Sequence, residues 1–144
     1  MNRELIYNAL FALSEGLTWG EGSSMAFRSR RVKLFSDIPE WPALCQAEHD
    51  ETVVERTRMP SKVTLGAVWL IYHRAGQDTA AVPATESNAI LDAIEQLFPG
   101  DEETGTQTLG GLVHKAVISG RILKEHGDLE GQALLIVPLK ILVP

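Results

Sequence analysis

ALLIVPLKILVP, the sequence of residues 133–144, decides the fold because it reads as a strand that is apolar on both faces. Side chains alternate between the faces of a strand, so one face is wholly aliphatic and the other is interrupted by Pro138 and Lys140. Pro138 lacks a backbone N–H, which predicts a place at a sheet edge or beside a bulge. A bare edge this apolar would promote aggregation. We therefore expect a neighbouring copy of the chain to cover it, as in a component of an assembly.

The composition is that of one globular domain spanning residues 1–144. Hydrophobic residues make up 44% of the chain and charged residues 22%, as is usual for a folded domain. No apolar run approaches the roughly 20 residues of a membrane helix, and no secretory signal pattern is present. The single cysteine, Cys45, excludes an internal disulfide and is expected to be a buried thiol. A net charge of −6 argues against broad affinity for nucleic acid.

Hydrophobic periodicity predicts a helix, three or four strands, a second helix and two strands. The main predicted elements are a helix near residues 2–17, strands at 28–35, 43–47 and 62–72, a helix after Pro83, and strands at 112–123 and 133–143. This order is typical of the α+β class, here a mostly antiparallel β-sheet with two α-helices packed on one face. We expect other subunits to bury part of the opposite face. Residues 48–62, the arm, are highly charged and predict a solvent-facing hairpin or a mobile segment.

Three groups of residues are candidates for contacts with a partner. The first is a basic patch, formed by Arg28, Arg30, Arg31 and Lys33. On an acidic chain this patch favours an acidic protein surface over DNA phosphates, and an ordinary solvated strand face is the alternative. The second group is the charged part of the arm, with Glu55, Arg56, Arg58 and Lys62. The third lies at the start of the strand predicted at residues 112–123 and contains Gly110, Gly111 and His114.

The sequence predicts no catalytic, metal-binding or cofactor-binding constellation. The densest group of possible metal ligands is Glu48, His49, Asp50 and Glu51. A solvated turn explains this group better, because nothing in it fixes the ligand geometry. Cys45 has apolar neighbours, which deactivate a thiol. The other histidines are dispersed, at His73, His114 and His126. We expect no enzyme, metal or cofactor; a small oligomeric enzyme with its active site between subunits is the alternative.

Four short blocks stand in a recognisable order along the chain. They are SDIP with PAL within residues 36–44, AVP at 81–83 leading into NAILDAIE at 88–95, QTLGGLV at 107–113 and IVPLKILV at 136–143. In that order and spacing, the chain resembles the tail terminator (tail completion) proteins of long-tailed bacteriophages. The similarity spans nearly the whole chain, and its specificity lies in the combination because each block is short and non-catalytic.

The resemblance implies a small α+β virion protein that forms a hexameric ring on the head-proximal end of the tail tube. Such a ring ends tube polymerisation and provides the surface for joining the head, while DNA passes through its bore without specific binding. The implied partners are other copies of the chain, the tail tube protein and the head–tail connector protein. The implied location is the tail or neck of a virion assembled in the host cytoplasm, without a membrane contact. A head–tail connector or a tail-tube-related subunit is the alternative.

Two hypotheses concern the parts of such a ring. Acidic side chains would line or flank the bore and prevent it from gripping DNA. The candidates are residues 48–55 of the arm and the acidic loop of Asp101, Glu102 and Glu103. Residues 52–62 would reach toward the tube or a neighbouring subunit, so their deletion would give tails of uncontrolled length.

Overall fold

The computed structural model describes residues 1–74, 80–100, 103–127 and 131–144. The helices are α1 (Arg3–Leu13) and α2 (Ala84–Leu97). The strands are β1 (Thr18–Trp19), β2 (Ser23–Ser24), β3 (Phe27–Ser29), β4 (Ala43–Arg56), β5 (Met59–Arg74), β6 (Lys115–Ile118), β7 (Leu123–Glu125) and β8 (Gln132–Leu142). Two helices beside a mixed sheet place the chain in the α+β class. Among the described residues, neither helix is long and apolar enough to cross a membrane.

One sheet organises six of the strands. Its order is β3-β4-β5-β8-β6, and β7 pairs with β8 on the same side as β6. The pair β3–β4 is parallel, whereas the pairs β4–β5, β5–β8, β6–β8 and β7–β8 are antiparallel. β4 and β5 form a long hairpin that contains the arm, and β1 pairs with β2 in a separate ribbon.

Of the two places that the sequence allows for the last strand, the sheet edge is wrong. β5 pairs with one side of β8, and β6 and β7 pair with the other. Pro138 lies opposite the interruption between β6 and β7, where the Ser119 amide donates to the Pro138 carbonyl at 3.1 Å. The backbone N–H and C=O of a strand residue point to the same side of the strand. A backbone N–H at position 138 would therefore have pointed toward this interruption. An irregularity in the neighbouring strand, rather than an edge, accommodates the proline.

Two other predicted strands are shorter than expected. The strand predicted at residues 28–35 ends at Ser29, and a 3₁₀ turn occupies Phe35–Asp37. Phe35 instead packs its ring 5.4 Å from Trp41 and 5.9 Å from Tyr72. The strand predicted at residues 112–123 is divided into β6 and β7. Gly120 lies at the break with φ 124°, and a Cβ there would come 3.2 Å from the Pro138 ring.

The main hydrophobic core lies on one side of the sheet, the core face, which carries the odd-numbered side chains of β5 and β8. The fully buried residues there include Leu65, Trp69, Ile71, Leu135 and Ile141. The same cluster contains buried side chains of both helices, namely Ile6, Tyr7, Leu10, Ile90 and Ile94. Burial of each large aliphatic side chain contributes roughly 1.5–3 kcal/mol, so this cluster is the main source of stability.

A chain of buried hydrogen bonds holds α1 against the sheet. Gln46 of β4 donates from Nε2 to the Tyr7 carbonyl at 3.0 Å and accepts from Trp69 Nε1 at 2.9 Å. The Tyr7 hydroxyl donates to the Gly66 carbonyl at 3.1 Å. Burial raises the pKa of the Tyr7 phenol to about 12. These buried polar groups are all paired, which avoids the cost of leaving them unsatisfied.

A bulge in β4 brings the backbone of Asp50 against Gly66. The register of β4 against β5 shifts between Glu48 and Glu51. A Cβ on Gly66 would lie 2.8 Å from the Asp50 carbonyl oxygen. The Asp50 side chain would come closer still, but the backbone would also have to move, so this position requires glycine.

The substitution Gly66→Ala should lower the free energy of unfolding by about 1–3 kcal/mol because of this overlap. Gly16→Ala is the matched control, since a Cβ there meets nothing within 4 Å; it should change stability by less than about 0.5 kcal/mol. Urea unfolding followed by circular dichroism measures both. Equal stabilities of the two variants would contradict the close approach.

Candidate assembly surfaces

The sheet side opposite the core face, the outer face, is apolar and incompletely covered. Val68 and Leu70 of β5 and Ile136 and Pro138 of β8 are half-buried there. Leu123 of β7, opposite Ile136, is 47% exposed. In an antiparallel sheet, the face that contacts water normally carries polar side chains. The outer face therefore has the composition of a contact surface rather than of a solvated one.

A small second cluster covers only one end of the outer face. Ile38 is buried there with Ala43, Cys45 and Tyr72, and the ring of Trp41 packs against them. Burial raises the pKa of the Cys45 thiol, so this cysteine is an inert core residue as the sequence predicts. The connector between β3 and β4 thus shields this end and leaves the remainder half-exposed.

The arm tip, residues 52–62, extends past the last β5–β8 pair, Thr64 with Leu142. Its apolar side chains Val53, Val54 and Met59 are 60%, 50% and 58% exposed. A two-stranded hairpin is only marginally stable alone in water. Exposed aliphatic side chains on a projecting hairpin indicate a surface for contact with another molecule.

The arm tip is basic although the whole chain is acidic. Its charged residues are one carboxylate and three cations, Glu55, Arg56, Arg58 and Lys62, so its net charge is +2 (three minus one). None of the four forms an ion pair with a residue that the structure describes. At the base of the arm, Arg3 binds both carboxylate oxygens of Glu51 at 2.7 and 3.0 Å, and these hydrogen bonds lower the pKa of Glu51.

Arg28 of the basic patch is occupied within the chain. Its guanidinium donates to the Phe11 carbonyl at 3.0 Å, to Ser14 Oγ at 2.8 Å and to Glu15 at 2.9 Å. The guanidinium carbon also lies 4.6 Å from the centre of the Phe11 ring. A cation that binds the carbonyls of a helix C-terminus stabilises that helix. Arg28 thereby fixes the end of α1 to β3.

The other three residues of the basic patch diverge. Arg30 donates to Glu4 and to Asn8 Oδ1 of α1. Arg31 is exposed. The backbone carbonyl of Lys33 accepts a hydrogen bond from the Tyr72 hydroxyl at 2.9 Å. Arg31 and Lys33 do not share the strand face that the sequence predicts for residues 28–35, because β3 ends at Ser29. Their role in partner contact stays a prediction, with Arg31 the most accessible of them.

The third candidate group lies in an exposed turn. Gly110 and Gly111 have φ of 73° and 88°, and the Gly111 amide donates to the Thr108 carbonyl at 3.1 Å. His114 is exposed, and its amide donates to the Leu142 carbonyl at 2.9 Å. In the acidic loop, Glu103 is exposed. The other two acidic candidates, Asp101 and Glu102, lie outside the described residues.

A groove of about 780 Å³ separates α2 from β6 and β7. Asp92 and Glu95 stand on its helix side, and Lys115 and Lys124 on its strand side. Its apolar lining includes Leu91, Phe98, Val117, Ile118 and Ile122. No sequence pattern predicts this groove, because its walls come from α2 and from β6 and β7, which lie about 20–35 residues further along the chain and meet only in the folded structure.

A buried polar cluster joins β5 to the first turns of α2. His73 Nε2 lies 2.8 Å from Ser87 Oγ, and His73 Nδ1 lies 3.9 Å from a Glu86 carboxylate oxygen. The positions of His73, Glu86 and Ser87 in the sequence do not predict that these side chains lie together. Ser87 is fully buried and His73 is 2% exposed, so no substrate could reach the hydroxyl. Burial lowers the pKa of His73, and the cluster is a structural hydrogen bond rather than a nucleophile and base.

The described residues contain no group of three or more His, Cys, Asp or Glu side chains placed to hold a metal ion. Neither protein-family models nor curated proteins give a match to the chain. The bacteriophage resemblance therefore depends on the sequence blocks alone and stays a prediction.

The buried His73 predicts a pH dependence of stability. The pKa of His73 is lower in the folded chain than its unfolded value of about 6.5. The unfolded state therefore binds more protons, and stability is lost as the pH falls from about 6.5 toward the folded pKa. Thermal unfolding between about pH 7.5 and 5.5 should show this loss, and His73→Gln should flatten it. His114→Gln removes an exposed histidine as the control, and equal pH slopes for both variants would exclude His73 as the source.

Proposed function

We propose that this chain is a structural subunit of a bacteriophage tail, the tail terminator, that acts by binding and not by catalysis. Copies of it form a ring, hexameric as the resemblance implies, on the head-proximal end of the tail tube. The ring ends tube polymerisation and offers the surface for head joining. The observation that carries the proposal is the apolar outer face, which one copy leaves half-exposed around Val68, Leu70 and Ile136.

The proposal includes both helices on the core face of a mostly antiparallel sheet. Its support is that Leu10 of α1 and Ile90 of α2 share one hydrophobic cluster with Trp69 and Leu135. With both helices on that side, the outer face has no helix left to cover it. A neighbouring subunit or the tube is then the natural cover.

A ring needs two different surfaces on each subunit, because each copy binds its neighbours through unlike patches. The chain offers the outer face of the sheet, the arm tip and the groove beside α2. The outer-face residues Val68, Leu70 and Ile136 belong neither to the arm tip nor to the groove lining, so one copy could use all three surfaces at once. Closure after a fixed number of copies distinguishes a terminator ring from a tail tube subunit, which polymerises without limit.

The proposed bore lets DNA slide through because the subunit is acidic overall, with a net charge of −6. The arm is a poor source of this repulsion, since Glu51 is paired with Arg3 and the arm tip is basic. The acidic loop that contains Glu103 is the remaining candidate for the lining.

The capping role predicts an effect on tail tube length. Tail tube protein of the same phage, polymerised with increasing amounts of this protein, should give shorter tubes with rings at one end, as seen by negative-stain electron microscopy. Bovine serum albumin at the same concentration is the control. Tubes of unchanged length and without end rings would remove the terminator role and favour a connector, which binds on the head side.

Because a neighbouring subunit covers the outer face in the proposed ring, a charged side chain introduced there should block assembly. Val68→Lys should abolish ring formation, measured by native mass spectrometry with and without tail tubes, because a lysine would be buried without a partner. Val32→Lys is the matched control, since Val32 is 46% exposed and lies off the sheet. Thermal unfolding of both variants verifies that they fold. Normal rings from folded Val68→Lys would show that the outer face is not an assembly surface.

A further inference from the structure

We infer that the arm tip of one copy docks into the groove between α2 and the β6–β7 edge of the next copy. The inference depends on the proposed ring and adds to it the specific contact between neighbours. The partner is therefore a second copy of this chain.

The groove contains unpaired charges of both signs above an apolar lining. Asp92 and Glu95 on one wall, and Lys115 and Lys124 on the other, form no ion pair with any described residue. Opposite charges across a groove that do not reach each other can be bridged by a guest that carries both signs. The volume of about 780 Å³ falls in the range that encloses a small ligand, and it therefore accepts a few side chains of a hairpin tip.

The arm tip has the complementary chemistry. Arg56 and Arg58 match the acidic helix α2, whose sequence ATESNAILDAIEQL contains three carboxylates and no Lys or Arg. Glu55 matches the lysines of the opposite wall. Met59, 58% exposed, and Val53, 60% exposed, supply apolar surface for the lining. Such complementarity orients a contact and rejects other partners.

The positions of the two surfaces favour contact between copies. The arm tip projects from β4 and β5, whereas the groove lies beyond β8 at the β6–β7 edge. Residues 48–62 are exposed throughout, so the arm does not occupy the groove of its own chain. An unlike pair of surfaces on one molecule gives head-to-tail contacts, which close into a ring when the rotation fits.

Cysteine cross-linking tests the contact directly. Copies with Met59→Cys are mixed with size-tagged copies that carry Asn88→Cys, an exposed residue of the groove, and are oxidised under assembly conditions. A disulfide should join the two kinds of copy. Glu21→Cys, exposed in the turn between β1 and β2, replaces the groove cysteine as the control and should give no such product. The native Cys45 is buried and does not react.

A charge exchange provides the second test. Arg56→Glu with Arg58→Glu should reduce the assembled fraction by about tenfold or more at fixed concentration. Adding Asp92→Lys and Glu95→Lys to the same chain should restore it to within about twofold. All four side chains belong to exposed residues, so the fold should survive, and thermal unfolding verifies this.

The outcomes separate the docking inference from the proposed function. Rings from the unaltered chain, without the specific disulfide or the charge rescue, would overturn the docking and leave the ring intact. Rings that persist in the Arg56→Glu, Arg58→Glu variant but no longer bind tubes would assign the arm to the tube and overturn the inference as well. A chain that stays monomeric with and without tubes would contradict the proposed function itself.

Discussion

The apolar character of both faces of β8 is the constraint on which the rest of the structure depends. On the core face, Leu135 and Ile141 enter one cluster with buried residues of α1 and α2. On the outer face, the described residues around Ile38 cover one end. Apolar surface is worth roughly 25 cal/mol per Å² when it leaves water. Burial of the remaining apolar area by a partner would therefore stabilise the complex with that partner.

The central position of β8 also determines where the surfaces for partners lie. β5 on one side continues past Thr64 into the arm, while β6 and β7 on the other side end the sheet at the groove. One strand thus separates two unlike charged surfaces and carries an apolar one between them. This arrangement suits the proposed subunit, which has neighbours on two sides. Among the described residues, His73 and Ser87 form a buried pair that is closed to substrate.

The sequence predicts the elements whose patterns are local. Alternation over residues 62–72 indicates the strand that becomes the inner part of β5, and α1 and α2 follow their apolar stripes. It leaves open whether β8 lies at an edge or beside an irregularity, because the break that accommodates Pro138 depends on Gly120, a residue between β6 and β7.

The interaction sites were only partly predictable for the same reason. The basic patch of the sequence suggests side chains that are free for a partner, yet Arg28 and Arg30 bind residues of α1. The exposed charges of the arm tip are visible in the sequence because they form no ion pair with a described residue. The groove is not visible in the sequence, since α2 and the strands β6 and β7 meet only in the folded chain.

Electron cryomicroscopy of the self-associated protein, alone or on tail tubes, tests the central claim most directly. The account predicts density from a second molecule over Val68, Leu70 and Ile136, with these side chains excluded from water. An ordered assembly in which this side of the sheet faces solvent in every copy would contradict it.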